Sequence, residues 1–144
     1  MSTATTARIT GAPKAPRILE KHVQEGVTAL LELDGWRAIR TDPVSDRVRG
    51  KGFGELGMPD HLYLRYRPFI SGPHVTHGFR VEYGDCLSET LWIEFKAPSK
   101  VPKSHQLQWH KSEQKRGALV LVIDNFDAFK AWYLASGLNR RIAA

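Results

Sequence analysis

Two carboxylates and an ammonium stand where a sheet would be expected to bury apolar side chains. Asp60 closes the segment Gly57-Met-Pro-Asp60, and Glu94 and Lys96 sit two positions apart in Leu91-Trp-Ile-Glu-Phe-Lys96. A strand alternates its side chains, so Trp92, Glu94 and Lys96 share one face while Leu91, Ile93, Phe95 and Ala97 take the other. Glu94 and Lys96 are then about 7 Å apart along the strand, at roughly 3.3 Å per residue. One reading is a half-exposed strand whose polar face carries a salt-bridged pair. The other is a centre for phosphodiester cleavage. That reaction builds negative charge on the phosphate oxygens, and a Mg²⁺ or Mn²⁺ ion held by hard oxygen ligands neutralises it and makes water easier to deprotonate. If the strand that follows Asp60 lies beside the strand of Glu94, the two acids converge on one ion, with the backbone carbonyl of Phe95 as a further ligand. Lys96 would orient the attacking water or stabilise the transition state.

The elements that must position these groups can be read from periodicity. Leu19, Val23, Val27, Leu30 and Leu31 recur at spacings of three and four, a helical apolar stripe that Gly35 stops. Trp36 to Thr41 reads as a first strand and His61 to Tyr66 as a second. Residues 67–90 read as an excursion or hairpin with a strand around Phe79-Arg-Val-Glu-Tyr83, bounded on its far side by Gly84-Asp-Cys-Leu-Ser-Glu89. The strand of Glu94 starts at Thr90 and ends at Pro98. Ser104 is the expected cap of a helix from His105 to Arg116, ended by Gly117, with Leu107 and Trp109 inward. Ala118-Leu-Val-Leu-Val-Ile-Asp124 reads as a strand buried on both faces. Asp124 or Asn125 caps a last helix carrying Phe126, Phe129, Trp132 and Tyr133, and Gly137 ends it. Strands that feed helices and return to a buried strand predict an α/β fold, a mixed central sheet flanked by helices on both faces.

Composition narrows the class. At 144 residues with 42% apolar content the chain is one globular domain. Residues 1–16 read as a flexible basic tail, 17–137 as the domain and 138–144 as a C-terminal tail in which Arg140 and Arg141 serve solubility. No run is apolar enough for a membrane span and the start has no signal-type apolar core, so a cytoplasmic protein is expected. The single cysteine, Cys86, excludes an internal disulfide and suits a reducing compartment. Twenty-one Lys and Arg against 15 Asp and Glu leave a charge of +6, which favours a polyanionic partner, nucleic acid above all.

The text around the acids sharpens the second reading. Pro59-Asp60 with Glu94-Phe95-Lys96 resembles the signature of the PD-(D/E)xK nuclease superfamily. Downstream, Ala97-Pro98, Ser104, Gln106, Trp109, Gly117 and the Val-rich strand are similar to the VRR-NUC family, as is the strand entry Gly57-x-Pro59-Asp60. The opening helix resembles the family's first helix, in which an early Glu points toward the metal site, and Glu20 takes that place. The likeness spans roughly residues 17–133, with a longer excursion at 67–90 than the family suggests. It implies a restriction-endonuclease-like fold, Asp60 and Glu94 as metal ligands, Lys96 as the catalytic lysine, Gln106 as a site residue on the following helix, and Glu20 as an additional ligand, direct or through water. Small stand-alone members resemble homodimeric enzymes that cut Holliday junctions, so branched DNA is the expected substrate. A flap or restriction-like nuclease with the same centre, and a non-cleaving DNA-binding module, are the alternatives.

Around that centre, Arg47, Arg49 and Lys51 in the loop before Asp60, with Lys100, Lys103 and Lys111 after the strand, would contact DNA phosphates. His105 and His110 are weaker phosphate candidates. His74, His77 and Cys86 lack a fourth partner at zinc spacing and read as surface residues. No G-x-S-x-G elbow supports a serine nucleophile.

Overall fold

The computed structural model describes residues 17–41, 54–68, 74–76, 79–81 and 86–142. Helix α1 (Glu20–Leu33) turns its three-four stripe inward, burying Val23, Val27, Leu30 and Leu31. Leu19 stands just before the helix and is largely exposed. Its backbone N–H donates to His22 Nδ1 at 3.3 Å, which satisfies one of the groups a helix start leaves over. Gly35, at φ +88°, ends the turn as expected.

The sheet runs β1 (Arg37–Arg40), β2 (His61–Pro68), β5 (Cys86–Phe95), β6 (Val120–Ile123) in that spatial order. The β1–β2 and β2–β5 pairs are antiparallel, and β5 and β6 are parallel. Two short strands, β3 (His74–Thr76) and β4 (Phe79–Val81), pair separately as the hairpin within the excursion. Between β5 and β6 the chain passes through helix α2 (Ser104–Lys115), and helix α3 (Phe126–Ala135) follows β6. The architecture is therefore α/β with a four-stranded mixed sheet and three helices.

One sheet face, carrying Tyr63, Leu91, Ile93 and Phe95, packs with α1 and α3 into the main core. Trp36 Nε1 donates to Tyr133 Oη at 2.8 Å inside it, so neither polar group is stranded. The other face carries Trp92, whose ring meets Trp109 of α2 edge-on at 5.0 Å. Helices thus cover both faces. Among the described residues no helix is long and apolar enough to cross a membrane.

Several expectations are corrected. Strand β5 begins at Cys86, not Thr90, because β2 is long and pairs along its whole length, Pro68 with Cys86 to His61 with Ile93. The polar Ser88, Glu89 and Thr90 extend the ladder through backbone bonds that need no apolar side chain. Strand β6 is not buried on both faces: it lies at the edge of the sheet, and Val122 is 45% exposed. Ser104 is the first residue of α2 rather than its cap, a place taken by Lys103. Leu107 faces outward, and His110 with Trp109 faces in. Residues 138–142 are not a loose tail. Leu138 and Ile142 pack on the core, and the backbone N–H groups of Arg140 and Arg141 donate to the buried Asp34 carboxylate.

Candidate active site

Neighbouring strands set the geometry. The β2–β5 register ends at His61 opposite Ile93. One step further along the same register Asp60 falls opposite Glu94, and opposed residues of an antiparallel pair share a face. Pro59 and Thr41 hold Asp60 at that step: Thr41 N–H donates to the Asp60 carbonyl at 3.0 Å and Thr41 Oγ1 to the Pro59 carbonyl at 2.5 Å.

Glu94 is the buried centre of the site, 2% exposed. Its Oε1 receives two donors, Lys96 Nζ at 2.6 Å and Gln106 Nε2 at 2.6 Å. Its Oε2 is buried and meets no protein donor. Burial pushes the Glu94 carboxyl above its usual range; the Lys96 ammonium pulls it back down, and the charges of Asp60 and Glu20 push it up again. Three carboxylates from β5, from the entry to β2 and from the first turn of α1 thus lie in one electrostatic neighbourhood, with Lys96 at its mouth. Among the described residues, no group of three or more His, Cys, Asp or Glu side chains is placed to hold a metal ion. The positive charge beside Glu94 is that of Lys96.

Gln106 is fixed at both ends. Its Oε1 accepts from the Lys103 backbone N–H at 2.8 Å, so its amide points the NH₂ at Glu94. The side chain starts the helix and orients the carboxylate at once, which a hydrophobic residue there could not do.

The loop before Asp60 is seated on α2. Gly57, at φ +86°, lies so close to α2 that a Cβ would run into the His105 carbonyl oxygen. Glu55 Oε2 accepts from Trp109 Nε1 at 2.8 Å. Glu55 had no signal in the sequence; a surface glutamate in a Gly-rich loop gives no periodicity to read. His110, weighed only as a phosphate contact, is instead 4% exposed. Burial lowers its pKa and the Lys96 charge lowers it further, and its Nε2 has no donor or acceptor partner.

Of the expected site residues, Lys96 and Gln106 contact Glu94, while Asp60 and Glu20 reach it only as through-space charge, Asp60 from the step opposite it in the strand register. Lys100, Lys103 and Lys111 are exposed on the turn and helix that follow β5. His105 is half-buried on the first turn of α2. Arg47, Arg49, Lys51 and His77 lie outside the described residues. One oxygen in this region, Glu94 Oε2, is buried without a protein partner, and carboxylate oxygens are the donors that hard divalent cations take. Against protein-family models, curated proteins and solved structures, the chain finds no match.

Proposed function

We propose that this chain is a Mg²⁺- or Mn²⁺-dependent DNA endonuclease of restriction-endonuclease-like fold, acting on branched DNA such as Holliday junctions. The observation that carries the reading is Glu94: a buried carboxylate with one oxygen fixed by two donors, the other without one, and two further carboxylates close enough to raise its pKa. A structural ion pair needs only the first half of that arrangement. Asp60 is exposed and Glu20 half-buried, and gathering their charge near a buried carboxylate is unfavourable unless a cation shares the site.

Asp60, Glu94 and the Phe95 carbonyl would hold the ion, with Glu20 as an additional ligand. When bound, the ion neutralises charge on the phosphate and eases deprotonation of water. The chain's own residues do the rest. Gln106 locks the Glu94 carboxylate in one orientation. Lys96 keeps its ammonium, 16% exposed at the side chain, between Glu94 and solvent, where it can donate to a phosphate oxygen as charge builds there. Burial and the Lys96 charge both disfavour a positive charge on His110. Exposed Lys100, Lys103 and Lys111 extend a basic surface from the same mouth, suited to phosphates along a DNA strand. Two symmetric nicks in a four-way junction call for two such sites related by a two-fold axis, hence a homodimer.

A second reading rests on the Glu94–Lys96 contact itself, which a non-cleaving DNA-binding module would keep as a closed salt bridge. Labelled four-way, flap, forked and linear DNAs incubated with Mg²⁺ or Mn²⁺ separate the two. We expect symmetric cuts in the four-way substrate, reduced at least about 100-fold in Glu94→Gln and Lys96→Ala with the circular dichroism spectrum unchanged. Cutting at flap bases alone moves the substrate to flaps. DNA binding with no cutting by the wild type would establish the module.

A further inference from the structure

We propose that the cavity at the opposite end of the sheet binds a phosphate-type oxyanion. It encloses about 260 Å³ where α1 hands over to β1, bounded by Gly35, Arg37, Tyr66, Arg140 and Arg141. Its β2 wall starts at Leu64, about 13 Å along the strand from Asp60 at roughly 3.3 Å per residue. The inference does not depend on the activity proposed above, since neither Glu94 nor a metal ion takes part.

The charge arrangement at this end is specific. Arg65 pairs with Asp34 at 2.8 Å and with Glu89 at 2.8 Å, and Arg140 pairs with Glu89 at 2.7 Å. Two guanidinium groups and two carboxylates cancel. Asp34 also lines the cavity, yet it offers a ligand little repulsion. Its oxygens already accept from Arg65, from Tyr133 Oη and from the backbone N–H groups of Arg140 and Arg141. Arg37 and Arg141 remain. Among the described residues neither side chain has a carboxylate at ion-pair distance. Both line the same concavity, so it carries two unbalanced positive charges.

One of these has its backbone anchored beside the cavity. The Arg141 N–H donates to Asp34 Oδ1 at 2.6 Å, and the Arg141 guanidinium lies over Gly35, whose Cβ, if it had one, would stand 3.1 Å from the guanidinium carbon. A side chain at Gly35 would crowd the guanidinium in that position. The paired donors of a guanidinium match the spacing of phosphate oxygens. Phosphate carries the complementary charge. It could reach the cavity as a phosphodiester in a nucleic-acid backbone or as a free phosphate.

The test uses the full chain in EDTA, followed by NMR at constant ionic strength with chloride as the control anion. Inorganic phosphate and dimethyl phosphate are titrated in separate arms. We expect saturable shifts at the Gly35 and Arg141 amides and the Arg37 Nε–H, weakened at least about tenfold by Arg37→Gln together with Arg141→Gln. Arg37→Gln alone leaves every Asp34 contact intact and should also weaken binding, which keeps the test decisive if the double variant folds poorly. Dimethyl phosphate acting as well as phosphate assigns a backbone diester; phosphate acting alone assigns a free anion. Either supports the site. Shifts absent with both anions, matched by chloride, or equal in the variants would overturn it.

Discussion

Glu94 illustrates how much depends on single atoms here. One oxygen is tied to Lys96 and Gln106, and the other is buried without a donor. That asymmetry suits a carboxylate that must present a lone pair in a set direction. The alternation of β5 made the Glu94–Lys96 pairing legible, because a period of two leaves no choice of face. Gln106 was visible only through resemblance to a family, since a lone glutamine on a polar helix has many uses. Ser99 carries a different kind of message. The turn Ala97-Pro98-Ser99-Lys100 closes with Lys100 N–H on the Ala97 carbonyl at 3.0 Å, and Ser99 sits at φ +66°. Proline at the second position and a left-handed third position describe a type II turn, which favours glycine at the third. Ser99→Gly should therefore raise stability by a few tenths to about 1 kcal/mol, read as a higher midpoint in urea unfolding. An unchanged or lower midpoint would mean that the serine makes a compensating contact.

Helix α2 and the loop on its back are the elements that assemble the site. The inward stripe of α2 is Gln106, Trp109, His110 and Glu113, spaced three and four apart but mostly polar. A polar stripe gives no apolar periodicity, so the sequence points to Leu107 as inward, whereas it is exposed. The helix reads correctly only when a stripe of hydrogen-bonding groups is counted as a face. Gly57 pins the loop to that helix, and no side chain fits between its backbone and His105. Gly57→Ala should displace the loop, move Asp60 from Glu94 and cut nicking activity by more than about tenfold through misplacement of the site. The measurement is a cleavage rate beside a melting curve. A full rate with the loop displaced would show that Asp60 is not required. The edge position of β6 was illegible for a related reason: an apolar run signals burial of side chains, not a partner on each side of the backbone.

Across the whole molecule, a buried network joins chain ends that sequence patterns do not connect. Asp34 follows α1, Arg65 lies on β2, Tyr133 on α3 and Arg140 beyond it, and Arg65 also rests over the Trp36 ring at 4.4 Å. A charged pair so far apart in sequence leaves no periodic trace, which is why Arg140 and Arg141 read as a tail. Burial alone would raise the Asp34 pKa. The Tyr133 hydroxyl, the two backbone N–H groups and the Arg65 charge outweigh it and hold the carboxyl below its usual range. A carboxylate with a depressed folded-state pKa contributes stability above its unfolded value, about 3.9, and loses it as pH falls through the lower folded value. Asp34→Asn should cost about 3 kcal/mol at pH 7, with the gap to wild type closing below pH ~4. Urea unfolding at several pH values measures this. A gap that is constant down to acid pH would mean that the charge of Asp34 contributes nothing.

The account stands or falls on a divalent cation held by Asp60 and Glu94. Its most direct measurement is Mn²⁺ binding to the full chain, followed by electron paramagnetic resonance of the free ion. The account predicts saturable binding that competes with Mg²⁺ and is lost in Asp60→Asn and Glu94→Gln while both variants stay folded. Binding of equal strength in wild type and both variants, or none in any of them, would contradict it.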